Sequence, residues 1–246
     1  MRIEKYTKMS EKITRSRLPS GGFCYNIIET FFGRKVFVRE FSAVILNGGK
    51  SSRISVKNKG LLKIGGMTIL QRIIAVLEPL FQDILVISNS PGEIDYLEGR
   101  CRIFRDEVEG LGPLGGIYTG LKKMENRAGF FVACDMPFLS AELINMLLDA
   151  SGGFDAVCPR YRGLIEPLHA VYSKNCIDAI EVLIEKGSSV RVRDLFDMVN
   201  TRYVDIDKEK IRLGFFNINT REDYERALLL EKDSTPGEPV LKGGYP

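Results

Sequence analysis

The sequence predicts an α/β fold in three layers, a mostly parallel central sheet between two layers of helices. Three observations predict it. Residues 41–46, 84–88 and 129–134 are short, continuously apolar runs without in–out alternation, as expected of strands covered on both faces. The segments between them repeat apolar residues at helical spacing, as in Ile69, Ile73, Val76, Leu77 and Leu80. Polar residues then stand at the strand ends, Asn47, Asn89, Asp106 and Asp135, along the carboxyl edge where such sheets bind ligands.

The elements follow in order. Residues 41–46 are the first strand of the main domain, and 47–65 are a glycine- and lysine-rich loop. An amphipathic helix covers 68–80, and the strand at 84–88 ends at the turn Ser90-Pro91-Gly92. Residues 101–105 read as a third strand, 114–124 as a helix opening at a glycine-proline turn, and 129–134 as a fourth strand. Ser140 is a suitable N-cap for a helix at 140–149. The rhythm then breaks: 155–159 and 167–172 read as strands joined across Arg160-Tyr161-Arg162-Gly163, with a local antiparallel arrangement. Helical spacing returns at 175–186 and near 190–198. A strand or turn follows at 203–206, then Phe215-Phe216-Asn217-Ile218-Asn219, and a last helix at 221–230 introduced by Thr220.

Composition sets the outer limits. The 246 residues, 44% hydrophobic and 27% charged, suit one large domain with modest appendages. No run nears eighteen apolar residues, so no membrane span is expected. Five scattered cysteines without CxxC spacing, and the single histidine His169, predict free thiols, no zinc cluster and a cytoplasmic location. Residues 1–40 carry nine Lys/Arg against four Asp/Glu. They are expected to be a basic extension, either a leader or an added strand or short helix, without the apolar segment of a secretory signal. Pro236, Pro239, Gly243, Gly244 and Pro246 predict a flexible tail over 231–246.

The chemistry centres on Ile45-Leu46-Asn47-Gly48-Gly49-Lys50-Ser51-Ser52-Arg53 and, six residues on, Lys59. Paired glycines bring backbone N–H groups close to a polyphosphate, and Arg53 and Lys59 can neutralise its charge. The loop is neither GxxxxGK[ST] nor GxGxxG, which argues against a P-loop and against a dinucleotide site. Asp135, stiffened by Pro137, suits Mg²⁺ held jointly with phosphate oxygens, or is a turn aspartate. Asp106 allows the same two readings. The basic stretch at 1–40 raises targeting or nucleic-acid contact as alternatives, and no nucleic-acid partner is expected.

Residues 44–62 resemble the opening signature of the molybdenum cofactor guanylyltransferases, with the Leu-x-Gly-Gly loop, Ser52-Arg53 and Lys59-Gly60-Leu61-Leu62 at the family spacing. Asp106 with Gly112-Pro113-Leu114-Gly115-Gly116 resembles their second signature, and Cys134-Asp135-Met136-Pro137-Phe138 their third. Glu166-Pro167-Leu168 and Phe216-Asn217-Ile218-Asn219-Thr220 are similar to two further segments. The chain departs from the pattern at Asn47, where the family has alanine, at Ile54-Ser55 for Met-Gly, and at Asn58, where it has aspartate.

The resemblance implies a Rossmann-like nucleotide-diphospho-sugar transferase fold over residues 41–230. It also implies transfer of GMP from GTP to the terminal phosphate of molybdopterin, with Mg²⁺. Leu46, Asn47, Gly48 and Gly49 would bind the nucleotide through main chain, and Lys59 its phosphates. Arg53, Lys59 and Asp135 would be catalytic, Asn89 and Asp106 nucleotide contacts, and Asp135 also the metal ligand. Glu166, Pro167, Asn217 and Asn219 would face the acceptor. Molybdenum-insertion proteins and molybdoenzyme chaperones are the implied protein partners. Transfer from CTP, another phosphorylated acceptor, or a nucleotide-binding protein without turnover are the competing readings.

Overall fold

The structure, a computed structural model, describes residues 14–16, 25–29, 35–48, 58–108, 110–187, 190–207 and 209–232. Gly49, Arg53 and the tail beyond Lys232 lie outside the described residues. The chain divides into two compact units, Met1–Glu40 and Phe41–Pro246.

In the first unit, β1 (Thr14–Ser16), β2 (Tyr25–Glu29) and β3 (Lys35–Arg39) form an antiparallel sheet in the order β1-β2-β3. The apolar part of the extension therefore makes a sheet of its own.

The second unit begins with β4 (Phe41–Asn47), whose seven residues are all buried. After it come the short hairpin β5 (Lys63–Ile64) and β6 (Met67–Thr68), helix α1 (Ile69–Leu77), β7 (Asp83–Ser88), β8 (Arg102–Arg105), α2 (Pro113–Lys123) and β9 (Ala128–Ala133). Then follow α3 (Ala141–Asp149), β10 (Ala156–Tyr161), β11 (Leu164–Ile165), β12 (His169–Ser173), α4 (Ile177–Glu185), α5 (Val192–Phe196), β13 (Thr201–Asp205) and α6 (Arg221–Lys232). The eight-stranded sheet has the order β11-β10-β12-β9-β4-β7-β8, with β13 also on β10. The β4–β7, β4–β9, β7–β8 and β10–β13 pairs are parallel, while β12 runs against both β9 and β10. The antiparallel break expected after residue 155 is thus the insertion of β12 between β9 and β10.

Successive residues of the strands feed opposite layers. Ala43 and Ile45 of β4, Val86 of β7 and Phe130 of β9 pack with Ile69, Ile73 and Ile74 of α1 and Leu143 and Leu147 of α3. Val44, Leu46, Leu85 and Phe131 face Leu114, Ile117 and Leu121 of α2 and Ile180 and Leu183 of α4. Each buried Val, Leu, Ile or Phe among these contributes about 1.5–3 kcal/mol of burial. That two-sided core is why the strands read as unbroken apolar runs.

Local signals set the helix ends. Thr68 caps α1 in a reciprocal capping box with Gln71, and Ser140 accepts from the Leu143 N–H at the start of α3. Thr220 and Asp223 exchange hydrogen bonds of 2.8 and 3.1 Å at the start of α6. Residues 216–219 carry no strand; they join the 3₁₀ helix from Glu209 to Phe215 to the α6 cap at Thr220. The end of α6 is held by Arg72, whose guanidinium grips Glu231 through two bonds of 2.8 and 2.7 Å. Tyr224 Oη donates to the Lys63 carbonyl at 2.7 Å, so α6 is also tied to the β5–β6 hairpin.

Candidate active site

The carboxyl ends of β4, β7, β8 and β9 open into one cleft with two lobes. One lobe, ≈ 390 Å³, is lined by Asn47, Lys59, Ser88, Glu93 and Asp135 among others. The second, ≈ 500 Å³, is lined by Ile87, Asp106, Gly110, Gly112 and Gly116 among others. Leu46, Gly48, Asn89, Pro113, Ala133 and Leu168 line both.

Parallel pairing places Asp135. β4 and β9 run side by side to Leu46 and Ala133, and the Cys134 N–H still donates to the Leu46 carbonyl at 3.0 Å. Asp135 therefore emerges beside the loop that leaves β4, and its own carbonyl accepts from the Ile218 N–H at 2.9 Å. Lys59 starts a short 3₁₀ turn, and its Nζ lies 3.2 Å from Asp135 Oδ2 and 2.8 Å from Asn219 Oδ1. The lysine and aspartate side chains are each about one-fifth exposed.

Asn58 is the cap of that turn. Its Oδ1 accepts from the Gly60 N–H at 3.1 Å, and its Nδ2 donates to Glu93 Oε2 at 3.1 Å. An aspartate there could make the first bond but not the second. The departure at Asn58 thus gains a partner across the cleft mouth rather than only losing a charge.

Asp106 is braced on one side. Its Oδ1 accepts from the Val108 N–H at 3.1 Å and from Thr119 Oγ1 at 2.9 Å, while Oδ2 has no partner among the described residues. A Cβ on Gly115 would meet the Val108 carbonyl oxygen at 2.6 Å, so only glycine lets α2 approach this loop.

Asn47 is buried, donates from Nδ2 to Ser88 Oγ at 3.1 Å, and keeps a buried Oδ1 without a partner among the described residues. An orphan of that kind costs about 1–3 kcal/mol.

Glu166 is partly buried and its carboxyl is raised above the usual range, first by burial and then by the nearby Asp135 charge. The Leu168 N–H and the Asn217 side chain hydrogen-bond to it and oppose that shift. The Pro167 carbonyl accepts from Tyr172 Oη at 2.7 Å. His169 is fully buried, edge-on to Phe130 and Phe215 at 4.9 and 5.4 Å, with both ring nitrogens unpaired among the described residues. It lines neither lobe and is a core residue of the sheet.

The profile of the MobA-like NTP transferase domain matches residues 43–202. The chain belongs to that family. A probable molybdenum cofactor guanylyltransferase of Clostridium perfringens is 36% identical over 191 residues, which cover 75% of this chain and 94% of that protein. One from Pelotomaculum thermopropionicum is 34% identical over 200 residues, 80% of this chain and 96% of its own length. The crystal structure of the molybdopterin-guanine dinucleotide biosynthesis protein A of Archaeoglobus fulgidus superposes with TM-score 0.68 at 25% identity, over 79% of this chain and 100% of that one. A 2-C-methyl-D-erythritol 4-phosphate cytidylyltransferase from Thermus thermophilus shares the fold, with TM-score 0.60 at 15% identity over 78% of this chain and 99% of that one. The protein is thus a nucleotidyltransferase of the MobA-like family, with the Rossmann-like α/β fold of these enzymes.

For this MobA-like enzyme the structure brings Leu46, Asn47, Gly48, Lys59, Asn89, Asp106 and Asp135 to one cleft. Asn219 meets Lys59, and Glu166 with Asn217 stands within electrostatic reach of Asp135. Sequence reasoning missed Ser88 and the Asn58–Glu93 link. A serine closing an otherwise apolar strand beside Asn89 was the signal for Ser88. Nothing in the spacing could pair Asn58 with Glu93. Among the described residues no three His, Cys, Asp or Glu side chains cluster as a metal site, and no helix is long and apolar enough to cross a membrane.

Proposed function

We propose that the protein transfers GMP from GTP to the terminal phosphate of molybdopterin, releasing pyrophosphate and yielding the guanine dinucleotide cofactor. The observation that carries this reading is Lys59 Nζ, held between Asp135 and Asn219 at 3.2 and 2.8 Å at the edge of the cleft. A cation with one carboxylate and one amide partner can exchange either for phosphate oxygens while keeping its place. The relatives named guanylyltransferases support the donor and the acceptor. Asp106 Oδ2, without a partner among the described residues, can accept from a base donor such as the N1–H or the exocyclic amine of guanine.

The acceptor phosphate is already ionised near neutral pH and needs little help from a general base. One of its oxygens attacks the α-phosphorus in line. The bond from that phosphorus to the β-bridging oxygen breaks, and its electron pair leaves with pyrophosphate. Positioning and charge neutralisation carry such a step. Lys59 and, from the sequence alone, Arg53 hold phosphate charge, while Gly48 and Gly49 offer close backbone. Glu166, Pro167, Asn217 and Asn219 take the acceptor side.

Asp135 fits Mg²⁺: one oxygen is on Lys59 and the other has no partner among the described residues. This ion takes one or two carboxylates and fills its shell with phosphate oxygens and water, so no cluster of three protein ligands is needed. When bound it supplies charge neutralisation on the triphosphate. A cytoplasmic location, with transfer of the product to molybdoenzyme chaperones, completes the proposal.

The test incubates the protein with each of the four labelled NTPs, Mg²⁺ and molybdopterin, and measures pyrophosphate and dinucleotide. Product from GTP alone is expected. Product from CTP, or no pyrophosphate with any nucleotide, overturns the reading.

A further inference from the structure

Asn47 ends β4, and its amide faces two ways. Nδ2 donates to Ser88 Oγ at 3.1 Å at the neighbouring end of β7. The same hydroxyl oxygen accepts from the Ser90 N–H at 3.2 Å, which ties β4 to the turn that carries Asn89. On the other side Oδ1 is buried and unpaired among the described residues, 2.6 Å from where a Cβ on Gly60 would stand. Leu70 Cγ of α1 lies 2.7 Å from the same position, so Asn47 and α1 both crowd the turn presenting Lys59. Turning the amide over would let Ser88 donate to Oδ1, but Nδ2 would then occupy the same buried, unpaired place. Either orientation leaves one buried polar atom without a partner among the described residues. Alanine, which the resembling family carries here, would avoid that cost and also relieve the crowding.

We propose that Asn47 is a positioning residue, whose amide sets the spacing between the Lys59-Gly60 turn and the Ser88–Ser90 end of β7. Its consequence for turnover rests on the guanylyl-transfer reading; the spacing itself does not. Lys59 addresses the phosphates and Asn89 the nucleoside side, so this spacing decides where the α-phosphorus lies against the acceptor. Small misplacements of reacting groups have large effects on rate.

Two measurements test it. The first is acylation of Lys59 in the ligand-free protein, followed by peptide mass mapping with the exposed Lys186 as internal reference. N47A and S88A should each raise Lys59 labelling about threefold, and the N47A/S88A double variant should go no further, because both break one bridge. The second is turnover at saturating GTP and acceptor. Each single variant should lose about tenfold in kcat with GTP affinity changed less than twofold, and S88T, which keeps the hydroxyl, should recover most of the rate. Unchanged Lys59 labelling, effects that multiply in the double variant, or a loss confined to GTP affinity overturns the proposal. If N47A fails to fold, S88A carries the same readings. Absence of pyrophosphate from the wild-type protein overturns the guanylyl-transfer reading instead, and the labelling result then decides the positioning role by itself.

Discussion

Lys59 and Asp135 meet at 3.2 Å although 76 residues separate them in the chain. The parallel pairing of β4 with β9 produces the meeting, since both residues belong to the segments that follow those strands. The lysine keeps Asn219 as a second partner, so removing the carboxylate leaves the ammonium hydrogen-bonded rather than stranded.

The Asp135→Ala protein is therefore expected to fold normally and to lose at least ~100-fold in transfer, the usual size of an electrostatic contribution to a charged transition state. Lys59→Ala should lose most of the turnover, and Lys59→Arg should restore part of it, because the fork replaces a point charge. Initial rates of pyrophosphate release at saturating Mg²⁺, with circular dichroism as the fold control, check both. A near-normal rate for Asp135→Ala rules out its role.

His169 predicts an acid limit to stability. Burial depresses its folded pKa to about 3, against 6.5 for the free side chain. Between those values the unfolded chain binds a proton that the folded chain does not, so stability is full above about pH 6.5 and falls as pH drops toward 3. The slope from this group is about 1.4 kcal/mol per pH unit. Urea unfolding at pH 7 and pH 5 should show the loss in the wild type and a smaller one in His169→Phe, whose ring suits the same aromatic cage. Equal losses in both proteins would remove His169 as the cause.

Asn58 and Glu93 predict a charge clash on reversion toward the family pattern. In Asn58→Asp the cap on Gly60 survives, but a carboxylate replaces the donor that faces Glu93 Oε2 at 3.1 Å. The pair is solvent-exposed, so a loss of about 0.5–1 kcal/mol is expected. Adding Glu93→Gln should recover it. Denaturation midpoints of the single and double variants give the answer, and an unchanged midpoint for the single variant contradicts it.

The Arg72–Glu231 pair predicts the behaviour of α6. Only Ala227 of this helix is fully buried, so its last turns rely on polar ties. Glu231→Ala should speed amide exchange near the end of α6 and lower stability by about 1 kcal/mol. Hydrogen exchange read peptide by peptide should confine the change to α6 and the neighbouring β5–β6 hairpin. Uniform exchange across the chain would mean that the pair does not anchor the helix.

Most of the core was legible because two-sided burial leaves its mark on each strand separately. β4, β7 and β9 need no partner to be recognised, and their polar ends locate the cleft. Ser140 and Thr220 were readable as caps because capping is a local bond. The insertion of β12 was only half legible: its antiparallel sense was expected, but its place between β9 and β10 depends on long-range pairing. His169 illustrates the opposite limit. Its neighbours Phe130 and Phe215 come from distant segments, so no local pattern distinguishes a caged imidazole from a ligand contact. The Lys59–Asn219 bond spans 160 residues and was out of reach for the same reason.

The docking of α6 has a consequence for synthesis on the ribosome. Asn219 belongs to the segment that opens this helix, and Glu231, near its end, fastens it to α1. A nascent chain that has released β4 through β9 can already pair its central strands, because domains begin to organise as they emerge. It still lacks the amide that completes the surroundings of Lys59. The Lys59 end of the cleft is therefore expected to mature only once α6 has been made and has docked.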